Sequence, residues 1–450
     1  MTDTWRAQLA QFRNTLLVGD SIRMRMAHGV VWSLVGNAFG QAAKLTGSVV
    51  IARLLGQIGF GELGVITSTV VLLGVFAGMG LGTTATKYVA ELRGGDMARV
   101  GQTIGFLIKV GWAAGAIGSL VVFLLAPAIS NRVLNAPQLV EELRIGSLLL
   151  LLSVLNGVQI GVLVGLESFH SVALLSVMDG VLGLLFAATG AWVFGLGGGV
   201  AGYVCGSALL LVFSQIVVTY ECRHLNIPIS YRETSTEWAM LWHFGLPSLL
   251  VLASTQPLSW GTRVILANLP DGYAQLGLLN AAFTWSSVLL FIPRQISRPA
   301  MPILSNLHGK NLADQVSPML GVSFLLTQGT AILIGFTIAM MSPIIMRSYG
   351  ESFAAGTRTM IIMVIAHVIS AGTLTFRDAI ASSGRMWTQV WHSLIWGLVL
   401  MGATVVFADL GALGISYAFL MAYVALWGVQ LVYLFMIGLL DFKSLMRRFS

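Results

Sequence analysis

Apolar residues fill the chain in blocks about twenty residues long, separated by short polar connectors. A bilayer core about 30 Å thick needs roughly 20 apolar residues per helix. That ruler predicts twelve spans, over residues 30–52, 63–85, 102–126, 145–166, 172–194, 200–220, 244–267, 275–295, 319–341, 359–381, 389–408 and 413–440. The pattern therefore predicts an all-α polytopic membrane protein. No connector approaches the size of a soluble catalytic domain. Ahead of the first span, Trp5, Leu9, Phe12 and Leu16 recur at helical spacing, which suits a short helix lying on the membrane surface. A frayed polar tail is the alternative. Arg6, Arg13, Arg23 and Arg25 are spread along this segment with no small-residue cleavage site after an apolar core, so it does not read as a secretory signal. The expected organisation is a cytoplasmic segment 1–29, a six-helix lobe 30–220, a linker 221–243, a second six-helix lobe 244–440 and a basic tail 441–450.

Composition agrees with a membrane location. The 450 residues are 56% hydrophobic and only 10% charged, with a mean hydropathy of +0.85. A soluble chain needs roughly a quarter of its residues charged. A disordered one needs low hydrophobicity and high charge density. The excess of 25 Lys+Arg over 18 Asp+Glu gives a net charge of +7, but no basic cluster is interleaved with aromatic residues as nucleic-acid binding would require. The cations lie instead in the connectors. With the N-terminus inside, sixteen fall on inner segments, counting Arg294 at the inner end of its span, five on outer segments and four deeper within spans. The positive-inside rule then puts both termini in the cytoplasm. Cys205 and Cys222 are about 25 Å apart along a continuous helix and cannot bridge each other. There is no CxxC, His-rich metal pattern, phosphate loop or nucleophile elbow, so neither a metal, a cofactor nor an enzyme is expected.

The chain also resembles itself. A shift of about 213 to 215 residues lays Ile51-Ala52-Arg53-Leu54 over Leu266-Ala267-Asn268-Leu269 and Glu62-Leu63-Gly64 over Gln275-Leu276-Gly277, with Gln41 on Gln256. A duplicated unit of six spans puts both halves the same way up, related by a pseudo-two-fold axis along the membrane normal, with a substrate site between them.

Polar residues inside spans are expensive and mark functional sites by default. Asn37, Gln41, Lys44 and Ser48 follow one another at i, i+4, i+7 and i+11 and form one polar stripe on the first span. Thr255, Ser259 and Arg263 form the equivalent stripe on the seventh, with Gln256 beside it. Two cations facing one cavity would attract an anionic group, for which phosphate is the natural choice. The competing account has Lys44 as a helix-packing residue and Arg263 snorkelling outward. Arg294 and Arg298, bracketed by Pro293 and Pro299, form a candidate cytoplasmic gate where the prolines should interrupt the helix, or else a pair of positive-inside anchors. Lys109 and Asp179 lie at similar depth in the third and fifth spans and are expected to form an ion pair within the first lobe; the alternative is that Asp179 carries a coupling ion.

Three segments carry a family likeness: Ile51-Ala52-Arg53-Leu54-Leu55-Gly56, then Gly59-Phe60-Gly61-Glu62-Leu63-Gly64, then Gly78-Met79-Gly80-Leu81-Gly82-Thr83-Thr84-Ala85-Thr86-Lys87-Tyr88-Val89-Ala90-Glu91. They resemble the polysaccharide transporter family, which holds the lipid-linked O-antigen and exopolysaccharide flippases within the superfamily that includes multidrug and toxin extruders. The resemblance implies a two-lobed bundle working by alternating access on a polyprenyl-pyrophosphate-linked glycan, with membrane lipids, glycosyltransferases and a polysaccharide polymerase as partners. On helical spacing, Lys44 and Arg263 would hold the pyrophosphate, while Gln41, Gln256, Asn37 and Ser259 would meet sugar hydroxyls. A cation-coupled drug extruder is the second reading. It should carry acidic residues in the middle of the first or seventh span, where Lys44 and Arg263 stand instead.

Overall fold

The computed structural model describes residues 22–439 apart from 94, 232–237, 239, 246–248, 250–252, 298–303, 305–312 and 383–384. The segment from Trp5 to Leu16, Arg298 and the tail 441–450 lie outside the described residues. Among the described residues the regular structure is helical throughout, with no strand.

Two helices are far too long for one crossing. α1 (Ile22–Gly78) has 57 residues. At 1.5 Å per residue a straight helix of that length would reach about 85 Å, nearly three bilayer cores. It breaks at Gly56, whose φ of 70° is a left-handed backbone that a residue without Cβ adopts freely. Four more helices complete the first lobe: α2 (Leu81–Leu92), α3 (Met97–Ala128), α4 (Val140–Gly165) and α5 (Phe169–His224). α5 breaks in the same way at Phe194 and Gly195. Its two arms then run back along each other, since a Cβ at Gly198 would lie 2.1 Å from the Gly190 carbonyl oxygen and one at Gly202 2.1 Å from that of Phe186. The second span ends sooner than its expected limit at residue 85. Met79 and Gly80, with φ of 42° and 66°, stop the helix, and α2 starts afresh and packs on α4. Hydropathy continues through this break, which is why apolarity alone runs past it.

The second lobe comprises α6 (Gln256–Ala267), α7 (Gly272–Leu289), α8 (Phe291–Ser297), α9 (Ala313–Tyr349), α10 (Thr357–Ser382), α11 (Met386–Val406) and α12 (Gly411–Met436). α7 ends at Leu289, four residues before Pro293, whose ring clashes with the carbonyl at that position. Among the described residues nine helical stretches are long and apolar enough to cross a membrane. Two of them are the bent pair, so with α6 they supply the twelve segments. Large apolar side chains such as Leu124, Trp192, Leu333 and Phe336 face outward, as a lipid-facing perimeter requires.

The lobes meet around Arg53 and Gly61, and again where Trp260 Nε1 donates to Thr69 Oγ1 at 2.9 Å and Gly245 lies against the Met79 carbonyl. Arg53 Nε donates to the Ser348 carbonyl at 2.6 Å, Gln57 Nε2 to that of Ala274 at 3.0 Å and Asn280 Nδ2 to that of Phe60 at 3.3 Å. Tyr273 and Asn268 donate to the carbonyls of Leu134 and Val133 at 2.8 and 2.9 Å. The contacts at this seal are reciprocal. A Cβ at Gly61 would meet the Tyr273 carbonyl oxygen at 1.9 Å, and one at Gly277 would meet that of Gln57 at 2.2 Å. One shift of 216 residues carries Gln57 onto Tyr273 and Gly61 onto Gly277, which is the pseudo-two-fold relation written in contacts. The motif segments around Arg53 and Gly61 therefore build the seal.

Candidate functional site

The first arm of α1 packs along α5 through small residues. A Cβ at Gly40 would lie 2.3 Å from the Ser176 carbonyl oxygen, and one at Gly180 would lie 2.4 Å from that of Gly40. Small residues on both helices allow this approach of backbones. The consequence is chemical. One turn beyond Gly40 stands Lys44, and next to Gly180 stands Asp179; Lys44 Nζ lies 2.5 Å from Asp179 Oδ2. The expected pair of Asp179 with Lys109 is thereby corrected: the close crossing selects Lys44, while Lys109 is exposed on α3. Lys44 and Asp179 keep 52% and 40% of their side-chain surface exposed, so the pair contributes only about 0.2–1 kcal/mol to stability. It can exchange partners without unfolding the lobe.

Around this pair lies a cavity of about 570 Å³ between the lobes. Asn37, Gln41 and Lys44 line it from α1, and Ser176 and Asp179 from α5. Thr284 and Ser287 of α7 and Phe291, Arg294 and Gln295 of α8 face them across it. Two cations stand against one carboxylate, leaving the lining net positive. The cavity runs away from the seal as far as Asn37 and Gln295.

A second cavity of about 340 Å³ adjoins it and shares Thr284 and Ser287. It holds Ser48, Thr67, Arg263 and Asn280 among the rings of Phe60, Tyr203 and Phe283. Arg263 rests its guanidinium 5.0 Å from the centre of the Phe283 ring, and its Nε is buried without a hydrogen-bond partner. Ser48 is tied to Tyr349 of α9 by a 2.8 Å hydrogen bond between hydroxyls.

The structure thus brings together Asn37, Gln41, Lys44, Asp179 and Arg294, and places Arg263 next door rather than in the same chamber. Gln256 and Ser259 are not among the residues lining either cavity. Their helix begins at Gln256 with Pro257 in its first turn, whereas α1 is continuous through Gln41, so the repeat is imperfect there. Four polar residues lining the larger cavity escaped the sequence reading: Ser176, Thr284, Ser287 and Gln295. Asn280, Thr284 and Ser287 recur at i, i+4 and i+7, the same signal as the stripe on the first span. Their hydroxyls hydrogen-bond their own helix, Thr284 to the Asn280 carbonyl at 2.9 Å and Ser287 to that of Phe283 at 3.3 Å.

Comparison with known proteins places this architecture. The export protein "EPS I polysaccharide export inner membrane protein EpsE" of Ralstonia nicotianae is 23% identical over 398 residues, 87% of this chain and 89% of that protein. Among solved structures, a multidrug resistance MATE family transporter of the MOP superfamily in an inward-facing conformation aligns with a TM-score of 0.74 at 14% identity, covering 90% of this chain and 97% of the other. The lipid II flippase MurJ in an inward closed conformation aligns with a TM-score of 0.73 at 14% identity, covering 93% and 89%. These likenesses give the two-lobe fold. Residues 26–308 match the polysaccharide biosynthesis protein family, and the chain belongs to that family.

Proposed function

We propose that the chain is a flippase, carrying polyprenyl-pyrophosphate-linked oligosaccharide repeat units from the inner to the outer leaflet of the cytoplasmic membrane. The observation that carries this reading is the net positive cavity between the two lobes. A diphosphate cannot cross hydrocarbon without its charge compensated, whereas a polyprenyl tail can remain in lipid. Lys44 and Arg294 approach from opposite lobes and suit the two phosphate groups. Gln41, Asn37 and Gln295 offer hydrogen bonds to neighbouring oxygens. Asp179 supplies the counter-ion of Lys44 while the site is empty and gives it up as the anionic headgroup enters.

The positive-inside rule orients the molecule. Both termini are cytoplasmic, the seal around Arg53 and Gly61 faces the periplasm, and the described conformation faces the cytoplasm, where lipid-linked precursors load. Rearrangement of the lobes about the site then exposes it to the other side. The names of the EpsE and MurJ relatives, one for polysaccharide export and one for flipping a lipid, support the same cargo class.

The MATE neighbours favour a second reading, a cation-coupled drug extruder. Asp179 lies in the cavity, but on the fifth span rather than the first or seventh, and Lys44 neutralises it. Deleting the gene separates the two. A flippase deletion loses surface polysaccharide and retains drug tolerance; lost drug tolerance with polysaccharide intact would favour the extruder.

A further inference from the structure

The flippase reading leaves one charge without work. The diphosphate is met by Lys44 and Arg294 in the larger cavity, yet Arg263 stands in the smaller one. Among the described residues it is the one charged side chain lining that cavity, and its guanidinium makes no ion pair and no hydrogen bond there. Its contact is the face of the Phe283 ring. A guanidinium drawn partly out of water, with a buried N–H left unbonded, is costly unless something arrives to pair it.

The surroundings say what that something is. Phe60, Tyr203 and Phe283 offer flat apolar faces, while Asn280, Thr67 and Ser48 offer amide and hydroxyl groups. Apolar faces beside hydrogen-bonding groups match a sugar ring, which has both C–H faces and hydroxyl edges. The position agrees. Ser48 stands one helical turn beyond Lys44 on the same stripe, about 6 Å further along the axis toward the seal. A glycan attached to a diphosphate at Lys44 therefore reaches into this cavity through the shared Thr284 and Ser287.

Resting on the flippase reading, we propose that the smaller cavity is a subsite for a carboxylate-bearing sugar, held by Arg263 within the first two sugars of the repeat unit. The planar fork of a guanidinium takes a carboxylate through two parallel hydrogen bonds. A neutral sugar would leave Arg263 unpaired, and a site built around a polar group discriminates strongly against ligands that lack its partner. The chain thus selects acidic repeat units.

The test uses the full-length protein in proteoliposomes and two synthetic polyprenyl-diphosphate oligosaccharides. One bears a uronate at the first or second sugar and the other its methyl ester. The wild-type protein should translocate the uronate about 10- to 100-fold faster than the ester, the range expected for a charge-assisted pair. Arg263→Gln should bring the two rates within two-fold of each other, and Arg263→Lys should recover part of the preference. Equal wild-type rates would overturn the proposal. So would Arg263→Gln slowing both lipids while the ratio persists, since that places the guanidinium on the shared diphosphate. Movement of neither lipid by the wild-type protein would instead remove the flippase reading, and the proposal with it. Thermal unfolding of each variant in detergent confirms that the rates belong to folded protein.

Discussion

Lys44 on α1 and Asp179 on α5 face each other across 2.5 Å at the wall of the inter-lobe cavity, half exposed and within the same lining as Arg294 of the opposite lobe. The arrangement makes cavity charge the quantity to perturb. Lys44→Ala leaves one cation against one carboxylate and should reduce polysaccharide export at least tenfold with unchanged protein level. The double variant Lys44→Ala/Asp179→Ala restores the net positive lining through Arg294 and should export more than the single variant. Surface polysaccharide measured in a complemented deletion strain decides this; a double variant no better than the single one would refute the charge argument.

The approach of the two helices rests on Gly40 and Gly180. A side chain at either position meets backbone rather than a movable side-chain end. Gly180→Leu should therefore destabilise the protein by about 1–3 kcal/mol and separate Lys44 from Asp179. Thermal unfolding in detergent reads the first effect. A midpoint equal to that of wild type would mean that α1 and α5 do not pack as described.

The seal between the lobes offers a wedge. Because Gly61 and Gly277 lie against the opposing carbonyls of Tyr273 and Gln57, Gly61→Leu should hold the lobes apart at that end. A Ser287→Cys reporter in a background lacking Cys205 and Cys222 would then react with a membrane-impermeant maleimide added from outside. The same reporter without the wedge should label mainly from the cytoplasmic side. Identical labelling patterns with and without the wedge would show that this end is not the closed gate.

Arg294 depends on a short helix whose last residue is anchored. The Ser297 hydroxyl donates to the buried carboxylate of Asp378 on α10. Asp378→Ala should cost about 1.5–3 kcal/mol, the scale for hydrogen bonds to charged groups, and should lower transport by misplacing Arg294. Ser297→Ala should act through the same bond. A double-mutant cycle on unfolding free energy should give a coupling of at least 0.5 kcal/mol, and additive effects would contradict the anchoring role.

Much of this was legible in the sequence because bilayer thickness fixes span length. The twelve segments, the turn near Phe194 and the polar stripe from Asn37 to Ser48 all follow from apolar blocks and helical spacing. What spacing could not supply was which face meets which. Lys109 and Lys44 both lie at depths that Asp179 could reach; the choice is made by Gly40 and Gly180, whose fit is a property of two helices together. Gln256 looked equivalent to Gln41 by the repeat, but Pro257 starts its helix at that point and breaks the equivalence. Thr284 and Ser287 were hidden for a different reason. Hydroxyls that bond to their own helix backbone are common in apolar helices, so only the opposing lobe reveals them as lining.

The central claim is that a diphosphate-linked glycan crosses the membrane through the cavity between Lys44 and Arg294. The most direct measurement is leaflet translocation of a labelled polyprenyl-diphosphate oligosaccharide in proteoliposomes, read by its loss of protection from a membrane-impermeant reagent. The account predicts a wild-type rate well above that of protein-free vesicles and at least a tenfold loss in Lys44→Ala/Arg294→Ala. A wild-type rate equal to that of empty vesicles, with a fluorescent lipophilic cation transported by the same preparation, would contradict it.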